Sequence, residues 1–198
     1  MDILHQINQH RIILGSRSPR RQYLLKELGI RFEVITHEDQ EEYYPDSLSV
    51  TEIPVFLAKQ KRSQYLKYLD NNTILITADT IVCIDNEVLG KPVDHADAVK
   101  ILTRLSGRAH QVYTGVCIRS AEKESFFCVG SDVWFRNLRQ EEIDHYVSNY
   151  KPLDKAGAYG IQEWIGYVGI EKINGSYYNV MGLPTERLFV ELIRFTEK

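Results

Sequence analysis

Cysteine is scarce, with three residues, Cys83, Cys117 and Cys128, in a chain of 198. Each lies inside an apolar, β-like run, and no two form a C-x-x-C pair. That excludes a disulfide frame and a thiolate zinc site and leaves buried, reduced thiols as in a cytosolic protein. Long apolar runs are also missing. None approaches the roughly 20 residues of a membrane span, and no basic-then-apolar leader opens the chain. The expected location is the cytoplasm, with no membrane contact. An excess of positive charge is missing too: 24 Lys and Arg stand against 27 Asp and Glu, a net charge of −3. Nothing in that balance pulls the chain toward nucleic acid, so any anion has to be captured by a local basic cluster. Repeats, low-complexity tracts and linkers are absent. With 43% hydrophobic and 26% charged residues, the chain is an ordinary globular one able to bury a core, in one large domain or two small ones.

The most informative stretch is Gly15-Ser16-Arg17-Ser18-Pro19-Arg20-Arg21. It follows the apolar run Ile12-Ile13-Leu14 and precedes Leu24, Leu25 and Leu28 at helical spacing, which predicts strand, tight turn and helix start. Ser18 suits the N-cap and Pro19 the first helical position. Arg20 and Arg21 then sit where the helix dipole repels cations, at up to about 1 kcal/mol each. Either they are two solvated arginines, or an anion converts backbone N–H groups, serine hydroxyls and two guanidinium forks into a phosphate site.

Arg31 to Ile35 alternates as a second strand. The acidic run His37 to Glu42 is either a solvated loop or a carboxylate cluster for a divalent metal. From about Val50 to Leu69 the pattern is helical, with Ile53, Leu57, Tyr65 and Tyr68 on one face. Lys61 shares that face, where it either snorkels or reaches a buried anion. Lys59, Arg62 and Lys67 point elsewhere. Thr73 to Ala78 is a central strand expected to end at Asp79-Thr80, and a hairpin turning at Asp85-Asn86 delivers Gly90-Lys91-Pro92. A carboxylate at the end of a buried strand is either a turn residue or a reactive group at the ligand-binding edge of a sheet. Asp94 opens a further helix, with Asp97 in a variant capping box. Gln111 to Ser120 and Ser125 to Phe135 are long strands expected to pair antiparallel, with Thr114-Gly115 marking a bulge or a close backbone approach. Leu138 to Tyr150 is an amphipathic helix with Ile143, Tyr146 and Val147 inward. In the small-residue segment Asp154 to Gln162, Gln162 is either a surface glutamine or an amide that reads a base edge. Val168 to Ile173 is the last strand, and Thr185 opens the terminal helix.

These elements predict a mixed-sheet α/β/α sandwich with helices on both faces. Two carboxylates, from Asp79 and from Glu41 or its neighbours, stand with cations at Arg20, Arg21, Lys61 and Lys91. That is equipment for a metal-bound polyphosphate.

The chain resembles the Maf family of nucleoside triphosphate pyrophosphatases. The resemblance runs from Leu14 to about Leu188, through Leu14-Gly-Ser-Arg-Ser-Pro-Arg-Arg21, Ala78-Asp-Thr-Ile-Val82, Gly90-Lys-Pro92, Leu105-Ser-Gly107, Val112-Tyr-Thr-Gly115, Pro152 to Gln162 and Ile173 to Pro184. It implies a single domain over 1–198, a deep central cleft and a homodimer. It also implies hydrolysis of a nucleoside triphosphate to the monophosphate and diphosphate, dependent on Mg²⁺ or Mn²⁺. Arg20, Thr80 and Gln162 match the branch acting on dTTP and UTP rather than the branch preferring 7-methyl-GTP. The resemblance makes Asp79 the general base and a metal ligand with Glu41, which matches by its spacing to Pro45, with Glu42 and Glu38 close by. Ser16, Ser18 and Arg21 then grip the polyphosphate, while Lys61, Lys91 and Arg21 offset charge on the leaving group. The sequence departs from the family in having Gly15 where alanine is usual and Glu163-Trp164 after Gln162. The alternative is a non-catalytic nucleotide-binding regulator of cell division. A haloacid-dehalogenase-type phosphatase would need a second Asp two residues after Asp79, where Ile81 stands.

Overall fold

The computed structural model of the chain describes residues 3–38 and 43–197. Its elements in order are α1 (Ile3–Asn8), β1 (Arg11–Leu14), α2 (Pro19–Glu27), β2 (Phe32–Val34), α3 (Ile53–Ser63), β3 (Thr73–Ile84), β4 (Glu87–Leu89), α4 (His95–Leu105), β5 (Ala109–Arg119), β6 (Glu124–Phe135), α5 (Gln140–Tyr150), α6 (Trp164–Gly169), β7 (Ile170–Asn174), α7 (Tyr177–Met181) and α8 (Thr185–Thr196). The strands pair in the order β2-β1-β3-β5-β6-β7, with β4 on β3 off this path. The sheet is mixed, as expected: β1 runs parallel to β2 and β3, whereas β3–β4 and β6–β7 are antiparallel. The chain divides into two compact units. Unit 1 is Met1–Asp79, Thr114–Val129 and Gly182–Lys198, and unit 2 is Thr80–Tyr113 and Gly130–Met181.

In unit 1, Ile12, Ile13 and Leu14 are all buried, as a parallel strand covered on both faces requires. Ile12 pairs with Phe32 on one side and Ile74 on the other. Ile13, Leu75 and Tyr65 form a small core with Tyr68 against it, and α1 packs on α8. The helix expected over 50–69 is shorter. It ends at Ser63 and resumes as a 3-10 turn at Leu66–Tyr68. The Ser63 hydroxyl donates to the Gln60 carbonyl at 2.6 Å, a local bond that competes with helical continuation.

In unit 2 the β3–β4 hairpin turns through Asp85 (φ 53°) and Asn86 (φ 63°), two consecutive left-handed residues as in a type I′ turn. Asp94 caps α4 by accepting from the Asp97 N–H at 2.8 Å, and Asp97 accepts from the Val93 N–H at 3.0 Å. One apolar core gathers Val82, Leu102, Phe135, Tyr146 and Ile165, and α4 packs on α5. The last strand begins at Ile170, not Val168, because Trp164–Gly169 forms a helix the pattern did not reveal.

One sequence expectation fails instructively. The strand beginning at Thr73 does not end at Asp79-Thr80; β3 runs unbroken to Ile84. Asp79 is therefore a mid-strand residue. Cys83 and Cys117 are buried free thiols, and Cys128 is half-buried.

Candidate active site

The strand β1 ends at Leu14, opposite Ile76 of β3. Gly15 adds one more bond, its N–H donating to the Ile76 carbonyl at 2.9 Å. Beyond that point β3 continues without β1 beside it, and Asp79 lies in this uncovered stretch. The carboxyl-edge position expected of a reactive carboxylate is thus supplied by the end of the neighbouring strand and not by the end of its own.

Side chains two apart on a strand share a face, so Thr77 and Asp79 point the same way. Both hold α3. The Thr77 hydroxyl donates to the Ala58 carbonyl at 2.8 Å, and Lys61 Nζ donates to Asp79 Oδ1 in an ion pair. Ala58 and Lys61 are three residues apart, one turn along a single helix face. The lysine in the apolar stripe therefore reaches a buried anion: Asp79 is only 4% exposed. Lys59 lies over the Phe126 ring and Arg62 pairs with Glu124, away from Asp79 as the helical spacing predicts.

The turn before α2 is built as its residues suggest. Ser18 Oγ accepts from the Arg21 N–H at 3.4 Å, Pro19 occupies the first turn, and the buried Ser16 Oγ accepts from the Ser18 N–H at 3.2 Å. Arg21 Nε donates to the Gly182 carbonyl and Nη1 to the Ala78 carbonyl, both at 2.8 Å. The guanidinium thus ties the first turn of α2 to the residue before Asp79. Arg20 is half-buried beside it. Gly15 has a steric reason. A Cβ there would stand 3.0 Å from Thr77 Cγ2 and from the Tyr65 ring, so glycine lets the turn pass against Tyr65, just beyond the end of α3.

Thr80, Lys91 and Gln162 belong to unit 2. Thr80 is half-buried and Lys91 exposed. The Gly157 N–H donates to the Gly90 carbonyl at 3.2 Å, joining the Lys91 turn to the small-residue segment. Gly157 (φ 70°) packs against Val82, whose methyls lie 2.9 Å from where a Cβ would stand. Gln162 Oε1 is buried with no hydrogen-bond partner among the described residues. Lys155 Nζ donates to Asp154 at 2.7 Å and to Glu163 Oε1 at 3.3 Å. The Tyr146 hydroxyl donates to Glu163 Oε2 and accepts from the Gly160 N–H at 3.0 Å. Burial, then the Glu163 carboxylate, pushes the Tyr146 phenol far above its ordinary pKa. Residue periodicity marked Tyr146 as core and missed this role, because the polar end of a buried tyrosine finds its partners through tertiary contacts.

The acidic loop's candidate metal ligands, Glu41 and Glu42, lie outside the described residues. Glu38 is exposed. Among the described residues no three His, Cys, Asp or Glu side chains cluster closely enough to hold an ion. The donor set at hand is one buried carboxylate, Asp79. It fits a hard divalent cation of the Mg²⁺ kind, which takes one or two carboxylates and completes its shell with water and substrate phosphates. Among the described residues, no helix is long and apolar enough to cross a membrane.

The mixed α/β fold has a solved counterpart in a HAM1 protein from Coxiella burnetii, with a TM-score of 0.50 and 13% identity, covering 93% of this chain and 99% of that one. A likeness at that identity concerns architecture alone. Residues 11–195 match the Maf-like protein family, and the chain belongs to that family. Its relatives include a dTTP/UTP pyrophosphatase of Phocaeicola vulgatus, 49% identical over 190 residues and covering 96% of this chain and 98% of the relative. A dTTP/UTP pyrophosphatase of Parabacteroides distasonis is 49% identical over 193 residues, covering 98% and 100%. One from Porphyromonas gingivalis is 48% identical over 197 residues, covering 98% and 99%.

Proposed function

We propose that this protein is a nucleoside triphosphate pyrophosphatase that cleaves dTTP and UTP between the α- and β-phosphates. One observation carries the reading: Asp79, buried and paired with Lys61 of α3, lies in the stretch of β3 that β1 leaves uncovered, in a chain whose relatives at 48–49% identity over nearly their full length are named dTTP/UTP pyrophosphatases.

Asp79 accepts a proton from the water that attacks the α-phosphorus. A P–O bond forms, the bond to the β-phosphate oxygen breaks, and diphosphate leaves with the electron pair. Lys61 orients the Asp79 carboxylate and, with Lys91 and Arg21, offsets the charge that collects on the leaving group. The hydroxyls of Ser16 and Ser18 accept bonds within the turn, so their own protons can be donated to phosphate oxygens. Arg20, Thr80 and Gln162 select the base. A divalent cation such as Mg²⁺ or Mn²⁺, held by Asp79 and Glu41, would lower the pKa of a bound water and neutralise phosphate oxygens. In this reading residues 1–198 act as one functional domain, in the cytoplasm and as a homodimer.

The test is a panel of dTTP, UTP, dCTP, dATP and GTP with product identification, with and without Mg²⁺. Monophosphate and diphosphate from dTTP and UTP, dependent on the metal, are expected. Release of orthophosphate instead, or nucleotide binding without turnover, would overturn the reading, the latter in favour of a regulator.

A further inference from the structure

We propose that Tyr146, Glu163 and Lys155 are positioning residues that set the Gln162 amide and so govern discrimination among bases. The inference rests on the proposed function in taking Gln162 as the group that meets the base.

The segment from Asp154 to Gln162 is held at two levels. It contains two left-handed residues, Gly157 (φ 70°) and Ala158 (φ 57°), and its apolar side chains Ala158, Tyr159 and Ile161 pack into the core of unit 2. Three polar side chains fix its two ends. Lys155 at the start of the segment pairs with Glu163 just after its end, closing the loop on itself. The lysine side chain is only 9% exposed. A cation so placed is costly without a carboxylate partner. Tyr146 reaches in from α5, donates to the other Glu163 oxygen and accepts from the Gly160 N–H. Glu163 thus has both oxygens engaged, and Gly160 is glycine for a local reason: a Cβ there would lie 2.8 Å from the Glu163 carboxyl carbon.

Gln162 sits directly before this anchored carboxylate. Its Oε1 is buried with no hydrogen-bond partner among the described residues. Such an acceptor suits a ligand N–H, as on the imide edge of a uracil or thymine ring, and its use depends on how firmly the segment is held. The Gly157–Gly90 bond extends the same frame to the Lys91 turn, so loosening the clamp shifts a base-facing group and a phosphate-facing group together.

The experiment uses the full-length wild type, Tyr146→Phe, Glu163→Gln and Lys155→Met, with diphosphate release measured on dTTP, UTP and dCTP. For Tyr146→Phe and Glu163→Gln we expect KM for dTTP to rise about 10-fold with kcat within about twofold, and the dTTP-to-dCTP ratio of kcat/KM to fall by a similar factor. Lys155→Met is expected to act in the same direction. Hydrogen exchange at the Gly160 amide should quicken in Tyr146→Phe while α4 is unchanged. Equal losses on all three nucleotides, or an unchanged ratio, would overturn the proposal. Should Glu163→Gln fail to fold, Tyr146→Phe, which deletes one oxygen, decides alone. A wild type that releases no diphosphate defeats the pyrophosphatase reading. In that case the ratio is read from the dissociation constants of the three nucleotides, so the positioning proposal still stands or falls by itself.

Discussion

Unit 1 and unit 2 hold their candidate site residues by different means. Around Asp79 the Lys61 ion pair stands among anchors on main-chain carbonyls: Arg21 donates to Ala78 and Gly182, and Thr77 to Ala58, all at 2.8 Å. Around Gln162 the anchors centre on one side-chain carboxylate, with Lys155 and Tyr146 each bonded to Glu163. A carbonyl in a strand or helix neither titrates nor rotates, so it keeps its geometry as charge arrives nearby. A carboxylate at the end of a side chain holds only while its partners hold it. Rigid anchoring suits the place where a proton and a phosphoryl group are handled. Adjustable anchoring suits the place where one base is told from another. Substitutions in unit 1 should therefore damage turnover or folding outright, and those in the unit 2 clamp should change selectivity first.

The largest effect tests the unit 1 side. Asp79→Asn keeps an oxygen for Lys61 but removes the proton acceptor. Diphosphate release from dTTP should fall about 10²- to 10⁴-fold while the protein still unfolds cooperatively. Retention of more than about a tenth of wild-type turnover would mean that Asp79 is not the base.

How far the sequence leads differs between the units for related reasons. The turn at Gly15–Arg21, the Ser18 cap and the direction of Lys61 were all legible, because each depends on local spacing and short-range rules. The I′ turn at Asp85-Asn86 and the Asp94 cap were legible on the same grounds. The course of β3 through Asp79 was not. Asp is depleted in strands, so the sequence shows two apolar runs, 73–78 and 81–84, broken at Asp79-Thr80, where the structure has one strand. The helix α6 was hidden because Trp164-Ile-Gly-Tyr-Val-Gly169 combines poor helix formers with two glycines. Gly166 is there for a contact: a Cβ would fall 1.8 Å from the Ile161 carbonyl oxygen. The Tyr146–Glu163–Lys155 clamp was invisible because its members are far apart in sequence or look like core and surface residues taken singly.

A second prediction sharpens the contrast through pH. In unit 2, His110 is fully buried, its Nε2 lies 2.7 Å from the Tyr159 hydroxyl, and its ring stacks on Phe135. Burial lowers its pKa from 6.5 to about 4. The unfolded chain therefore takes up a proton that the folded one refuses. Stability from the neutral imidazole is complete above the unfolded value and is lost as pH falls toward the folded value, by up to about 3 kcal/mol. Urea unfolding followed downward from neutral pH should show this loss. It should be absent in His110→Gln, whose amide does not titrate. A wild-type profile as flat as the variant's would mean that His110 takes a proton in the folded protein.

Arg21→Lys separates geometry from charge in unit 1. Lysine keeps the cation but lacks the fork that serves Ala78 and Gly182 together, so about 1–3 kcal/mol of stability should be lost through imperfectly replaced carbonyl bonds. Full stability with reduced diphosphate release would show instead that the guanidinium fork serves phosphate more than the tie to β3.

The smallest effects compare the two helix caps. Asp94 accepts from the Asp97 N–H at 2.8 Å, and its charge complements the dipole of α4. Ser18 accepts from the Arg21 N–H at 3.4 Å, is neutral, and caps a helix whose first turn carries two arginines. Asp94→Ala should therefore cost about 1–2 kcal/mol and Ser18→Ala about 0.5 kcal/mol. Inorganic diphosphate should reverse that order. An anion at the start of α2 gains from the helix dipole and from the Ser18 hydroxyl, so its stabilising effect should shrink in Ser18→Ala and persist in Asp94→Ala. Chemical denaturation of both variants, with and without diphosphate, measures the difference. Equal stabilisation of the two would place the phosphate grip away from Ser18 and leave the weak cap as nothing more than a helix start.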